Sequence, residues 1–134
     1  MRQHANDQSA FIVQEQEVAV ERGEAGEDPG VTWRTLLSAD RTPTAGVTAG
    51  TCEIAPGGEL GFHHHPLLEM YYFLEGEGVV RLGERTVPVR AGATLWIPAG
   101  LPHGIRNTGN VRLKLFYAFP TDSFGDVEYT SLAH

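Results

Sequence analysis

Glycine and proline punctuate this chain so often that they decide what it can fold into. Sixteen glycines and eight prolines are spread through 134 residues. A helix of three turns rarely finds an uninterrupted stretch, whereas strands of five or six residues between turns fit throughout. The pattern predicts strands over 11–20, 31–37, 47–54, 69–75, 78–82, 85–88, 94–97, 103–107 and 111–119. Residues 76–78, 83–84 and 108–110 read as hairpin connections, and 56–58 and 98–100 as sharp corners. About nine short strands imply an all-β fold that closes, or nearly closes, into a small antiparallel β-barrel. Residues 1–10 read as a frayed start, 21–30 as a mobile acidic loop, and 120–134 as a tail or short helix packed outside.

The length suits one domain spanning 1–134, and a composition of 41% hydrophobic and 20% charged residues is that of a folded globular chain. A formal net charge of -7 argues against a polyanionic partner, whether nucleic acid or an anionic membrane surface. Seven of the seventeen acids fall within residues 1–30, beside only Arg2 and Arg22, and that run reads as a solvated strand edge and loop. Cys52 is the only cysteine, so no intramolecular disulfide can form. The polar start has no apolar signal core, and no run approaches the ~20 apolar residues of a membrane span. A cytoplasmic protein is expected.

The chemistry is concentrated in the histidines. His4 and His134 lie at the ends, while His63, His64, His65 and His103 fall in two short segments bounded by Gly and Pro. Alternate residues of an extended strand share a face, so His63, His65, Glu69 and Tyr71 project together if pairing is unbroken between them. His103 from a neighbouring strand would complete three nitrogens and one carboxylate oxygen, a donor set for one divalent Fe, Mn, Ni, Zn or Cu ion. Taken alone, a strand histidine is more often a hydrogen-bonded core or surface residue, and Glu69 a solvated charge. Together they would cost several kcal/mol to bury without a metal or a partner. His64 has the opposite parity and should point away.

Two patterns frame these residues. Gly57, His63, His65, Glu69 and Gly76 form the first, and Gly92, Pro98, Gly100, His103 and Asn107 the second, with the 15 residues 77–91 between them. All ten positions resemble the two motifs of the cupins, and the resemblance covers 57–107. It implies a small single-domain cupin whose barrel mouth holds a mononuclear metal on His63, His65, Glu69 and His103. It also implies a homodimer made by exchange of N-terminal strands, which would give residues 31–37 an interface role alongside the apolar 11–13. Asn107 reads as structural.

Four protein ligands leave coordination positions open, the mark of a catalytic site. Tyr71 could act there as a base, or simply fill the barrel; its position resembles that of a tyrosine in dimethylsulfoniopropionate lyases of the cupin family. Arg41, Arg81, Arg106 and Lys114 could bind an anion only if they turned inward. The expected function is a metal-dependent enzyme acting on a small-molecule substrate, with O₂-dependent oxidation placed first. A β-eliminating lyase using Tyr71 comes second, and a non-catalytic small-molecule-binding protein third.

Overall fold

The computed structural model describes residues 10–24 and 27–132. The expected frayed start therefore lies outside the described residues except at Ala10, as do residues 25–26 of the expected acidic loop and 133–134 of the tail. Eleven strands are present among the described residues: β1 (Glu21–Arg22), β2 (Val31–Leu37), β3 (Thr48–Ile54), β4 (Glu59–His64), β5 (Glu69–Glu75), β6 (Glu77–Leu82), β7 (Arg85–Arg90), β8 (Thr94–Ile97), β9 (His103–Asn107), β10 (Leu113–Phe119) and β11 (Thr130–Ser131). They form two antiparallel sheets, one ordered β1-β2-β3-β10-β5-β8 and the other β11-β4-β9-β6-β7. This is the expected all-β fold.

Period-two patterning builds the core between the sheets. Along β10, Leu113, Leu115, Tyr117 and Phe119 are buried while Lys114, Phe116 and Ala118 turn to the other face. Tyr71 and Phe73 of β5 join them, and Val80, Leu82, Val89 and Ile105 close from the opposite sheet. Asn107 is structural, as expected. Its Nδ2 donates to the carbonyls of Ile54 and Val111, and its Oδ1 accepts from the Gly109 amide.

After β3, every step along the chain except the β6–β7 hairpin crosses from one sheet to the other. The connections expected as hairpins at 76–78 and 108–110 are therefore crossings. Gly76 is the single residue between β5 and β6, with φ 83. A side chain there would be strained and would press into the Arg112 carbonyl.

The expected strand over 11–20 is absent. Its place is taken by a 3₁₀ turn at Glu15–Glu17, held across the outer face of the larger sheet by side chains. Glu15 accepts from Thr51 Oγ1 at 2.5 Å and Lys114 Nζ at 2.8 Å, and the Val18 carbonyl accepts from Arg34 Nε at 3.0 Å. β1 pairs with β2 at Thr32 and Trp33, and the chain before it is held to the sheet by these side-chain bonds and not by a backbone ladder. No helix among the described residues is long and apolar enough to cross a membrane.

Candidate metal centre

His63 on β4 and His103 on β9 are direct cross-strand partners, which brings their ring centroids to 4.3 Å. Leu60 opposes Ile105 and His63 opposes His103, so β4 spends three steps where β9 spends two. This β-bulge reverses parity and turns both Leu60 and His63 toward the interior. Opposite the bulge stands Gly104, where a Cβ would lie only 3.0 Å from the Leu60 carbonyl oxygen.

His65 sits one residue beyond β4, and Glu69 opens β5 in the facing sheet. The condition of unbroken pairing through His63, His65, Glu69 and Tyr71 is thus not met. Pairing stops at His64, where Pro66 follows without an N–H to continue a ladder, and the carboxylate meets the imidazoles across the gap between sheets. The four residues nevertheless converge. All are buried, and one ring nitrogen from each of His63, His65 and His103 lies within 4.8 Å of the others. His64 is half-buried in register with Thr130 of β11 and stays outside the cluster.

Each ring is fixed by a backbone carbonyl. His63 Nδ1 bonds Gly61 O at 2.7 Å, His65 Nδ1 bonds Leu67 O at 2.8 Å, and His103 Nδ1 bonds Leu101 O at 2.9 Å. A carbonyl only accepts, so each Nδ1 carries the hydrogen and each Nε2 presents a lone pair. The Glu69 Oε1 lies 3.1 Å from His65 Nε2 and 3.3 Å from His103 Nε2, so acceptor faces acceptor unless a cation stands among them. Burial, with the neighbouring His103 adding to it, pulls His63 down to about 4. Burial also pulls on His65, but the hydrogen bond and charge of Glu69 outweigh it and raise that ring. A proton can serve one such pair. Three neutral nitrogens and a carboxylate suit a divalent transition metal.

Residues 50–119 match the family model described as Cupin domain. The chain belongs to the cupin family. It is 36% identical over 107 residues to the dimethylsulfoniopropionate lyase DddW of Ruegeria pomeroyi, covering 78% of this chain and 70% of that one. It is 32% identical over 112 residues to an oxalate-binding protein of Thermotoga maritima, covering 79% and 90%. The structure of the polyketide cyclase RemF from Streptomyces resistomycificus superposes with a TM-score of 0.80 over 93% of this chain and 87% of that one, at 21% identity, and shares the fold.

In this cupin the cluster opens into a cavity of about 690 Å³ whose wall includes His63, Glu69, Tyr71, Trp33, Tyr117 and Tyr129. Among the described residues no Arg or Lys lines it. Of the candidate anion-binding bases, Arg41 pairs with Glu21, Arg81 lies over the Phe62 ring and Lys114 pairs with Glu15. Tyr71 lies inside, its ring centroid 6.0 Å from that of His103. Burial and the Glu69 charge push its hydroxyl well above the ordinary range. Burial, with Glu69 adding to it, pushes the Cys52 thiol up to about 12, which keeps it protonated. Trp96 of β8 turns away from the cavity and is 64% exposed.

The tail expected to pack outside the barrel instead completes the site. A 3₁₀ turn at Phe124–Asp126 leads to β11, which pairs with β4 at His63 and His64. That pairing sets the Tyr129 ring 5.2 Å from His63 and 5.3 Å from His65. Sequence reading missed Tyr129. The one signal is the alternation of Val127, Tyr129 and Ser131, too short to mark a strand by itself.

Proposed function

We propose that this cupin is a metal-dependent lyase in which His63, His65, Glu69 and His103 hold one divalent transition metal and Tyr71 removes the proton. The observation that carries this reading is the placement of a buried phenol, Tyr71, in the wall of the cavity that also holds His63 and Glu69. The metal, when bound, supplies positive charge that draws in a substrate carboxylate and lowers the pKa of a nearby phenol. Tyr71 then takes a proton from the carbon next to the carboxylate. The freed pair forms a carbon–carbon double bond while the bond to a leaving group on the next carbon breaks, its electrons departing with that group. Tyr129 and Trp33 wall the cavity and limit water around the reacting carbons.

The likeness to a dimethylsulfoniopropionate lyase supports elimination and supplies a probe. Oxalate, with two carboxylates, asks for more positive charge than a wall without Arg or Lys provides. Oxidation with O₂, placed first from sequence, has no observation favouring it over elimination. Protein purified without a metal-affinity tag, loaded with Fe(II) or Zn(II) and given dimethylsulfoniopropionate, should release dimethyl sulfide and acrylate without consuming O₂. Oxygen uptake coupled to turnover would reverse the order of the two readings, and failure of a panel of β-substituted acids would remove elimination.

Pairing of two copies belongs to the same proposal, and besides the expected N-terminal strands the outer face of the larger sheet offers a surface for it. There Met70, Tyr72 and Leu74 of β5 and Trp96 of β8 are exposed side by side, on a sheet whose β8 edge is open. Light scattering should give a dimer for the wild type and a monomer for Trp96→Glu.

A further inference from the structure

We infer that Asp28, a residue of the acidic run, is a positioning residue for the metal cluster, acting on His63 through the bulge residue Gly61. The inference rests on the reading of the cluster as a metal site but not on the reaction. A bulge leaves one residue of its strand outside the ladder, and that residue's backbone groups need other partners. At Gly61 both are supplied from elsewhere. Its N–H donates to Asp28 Oδ1 at 2.8 Å, and its carbonyl accepts from His63 Nδ1 at 2.7 Å. Glycine has the widest backbone freedom of any residue, so nothing within Gly61 itself holds that carbonyl in place. Asp28 holds it from outside, and the carbonyl in turn sets the tautomer and tilt of the His63 ring.

Asp28 is built for this. It adopts φ 41, the one left-handed non-glycine conformation among the described residues, a region that Asp and Asn tolerate better than other side chains. Its carbonyl accepts from the Val31 amide at 3.1 Å, and Gly30 O accepts from the Ala55 amide at 2.9 Å. The turn carrying Asp28 is therefore tied to β2 and to the residue after β3, not left to solvent. His65 and His103 take their carbonyls from Leu67 and Leu101, two further carbonyls next to the cluster. Only the His63 carbonyl belongs to a glycine, and its N–H is the one held by a side chain from the 21–30 segment.

The test compares Asp28→Gly, which keeps the left-handed backbone and removes the acceptor, with Asp28→Asn, which keeps both and removes the charge. Zn(II) affinity is measured by competition with a chromophoric chelator, and the Cu(II)-loaded proteins are compared by EPR. Asp28→Gly should weaken Zn(II) binding by about 10- to 100-fold, the range for groups that orient metal ligands, and change the Cu(II) spectrum. Asp28→Asn should leave both near wild type. Wild-type affinity in Asp28→Gly, or equal loss in both variants, overturns the inference. If Asp28→Gly does not fold, amide exchange in the wild type decides: the Gly61 N–H should be protected, and exchange at the rate of an open glycine overturns the assignment. If the wild type binds no Zn(II), the metal reading fails. The link from Asp28 to His63 is then judged on metal-free protein by NMR, where His63 should be the Nδ1–H tautomer in the wild type and lose that preference in Asp28→Gly.

Discussion

His63 and His103 face each other across a ladder of backbone bonds in the middle of a five-stranded sheet, whereas Asp28 and Tyr129 reach the same cavity from segments held by a few bonds at its rim. Asp28 arrives on a turn after the two-residue β1, and Tyr129 just before the two-residue β11. A ladder costs a global unfolding event to break, while a short rim segment can open locally. The central region is therefore suited to hold what must not move, and the rim to shape what enters and how the ligands are aimed.

The largest effect should come from striking the centre. His103→Ala removes a nitrogen that nothing nearby can replace, and elemental analysis of untagged protein should fall from one metal per chain to background. His64→Ala, one residue along the same strand from His63 but outside the cluster, should keep full occupancy. Equal occupancy in the two variants would break the distinction between the buried cluster and its surroundings.

Next is Tyr71→Phe, which keeps the ring in the core and deletes only the hydroxyl. Loss of a general base costs ~10²- to 10⁴-fold in rate, so kcat for elimination should fall on that scale with metal content and melting temperature unchanged. Retention of more than about half of wild-type turnover would leave Tyr71 a packing residue, far from that range.

This division also explains what could be read in advance. The alternation of Glu69, Tyr71 and Phe73 against Met70, Tyr72 and Leu74 appears in the structure as buried against exposed, because one face of β5 meets the core and period two is a local property. Gly57, Gly76 and Gly92 all have positive φ, as their turn positions required. Turn chemistry says where a chain reverses but not which sheet the next strand joins, so the crossings at 76–78 and 108–110 read as hairpins. β4 carries Gly61 and the start of a histidine run in place of apolar alternation, and its bulge depends on Gly104 across the ladder. No strand was expected over 59–64 for that reason. Segment 11–20 has apolar residues at 11–13 and 18–20 around a polar 14–17, which is not a period-two pattern, and side-chain bonds to Glu15 fix it as a 3₁₀ turn. Asp28 and Tyr129 acquire their partners only from tertiary pairing, with Gly61 and with the rings of His63 and His65.

At the rim the effect should be smaller and different in kind. Tyr129→Phe removes a phenol but keeps the ring beside His63 and His65, and turnover should change by less than about tenfold, the scale of one neutral hydrogen bond. Tyr129→Ala opens the cavity and should raise KM more than it lowers kcat. A collapse of kcat in Tyr129→Phe to the level of Tyr71→Phe would move the proton-handling role to the rim.

The smallest effect is expected farthest from the cavity, where Glu15 binds Thr51 and Lys114 on the outer face of the larger sheet. Burial works to raise the Glu15 carboxyl, but the hydrogen bonds from Lys114 and Thr51 and the positive charges of Lys114 and Arg34 outweigh it, and the group lies below its ordinary value of 4.5. A carboxyl depressed in the folded state binds its proton more readily when unfolded, so it adds stability above the unfolded value and loses it as pH falls through the folded one. The pair is only partly buried, its side chains 13% and 28% exposed, which limits the contribution to about 1 kcal/mol or less. Urea unfolding of wild type and Glu15→Gln should therefore differ at pH 7 and converge as the pH drops below 4.5. Metal affinity should be the same in both proteins, because the ladder between β3 and β10 separates this pair from the cluster. A gap that persists at low pH would mean that the 3₁₀ turn is held by packing and not by the charge of Glu15.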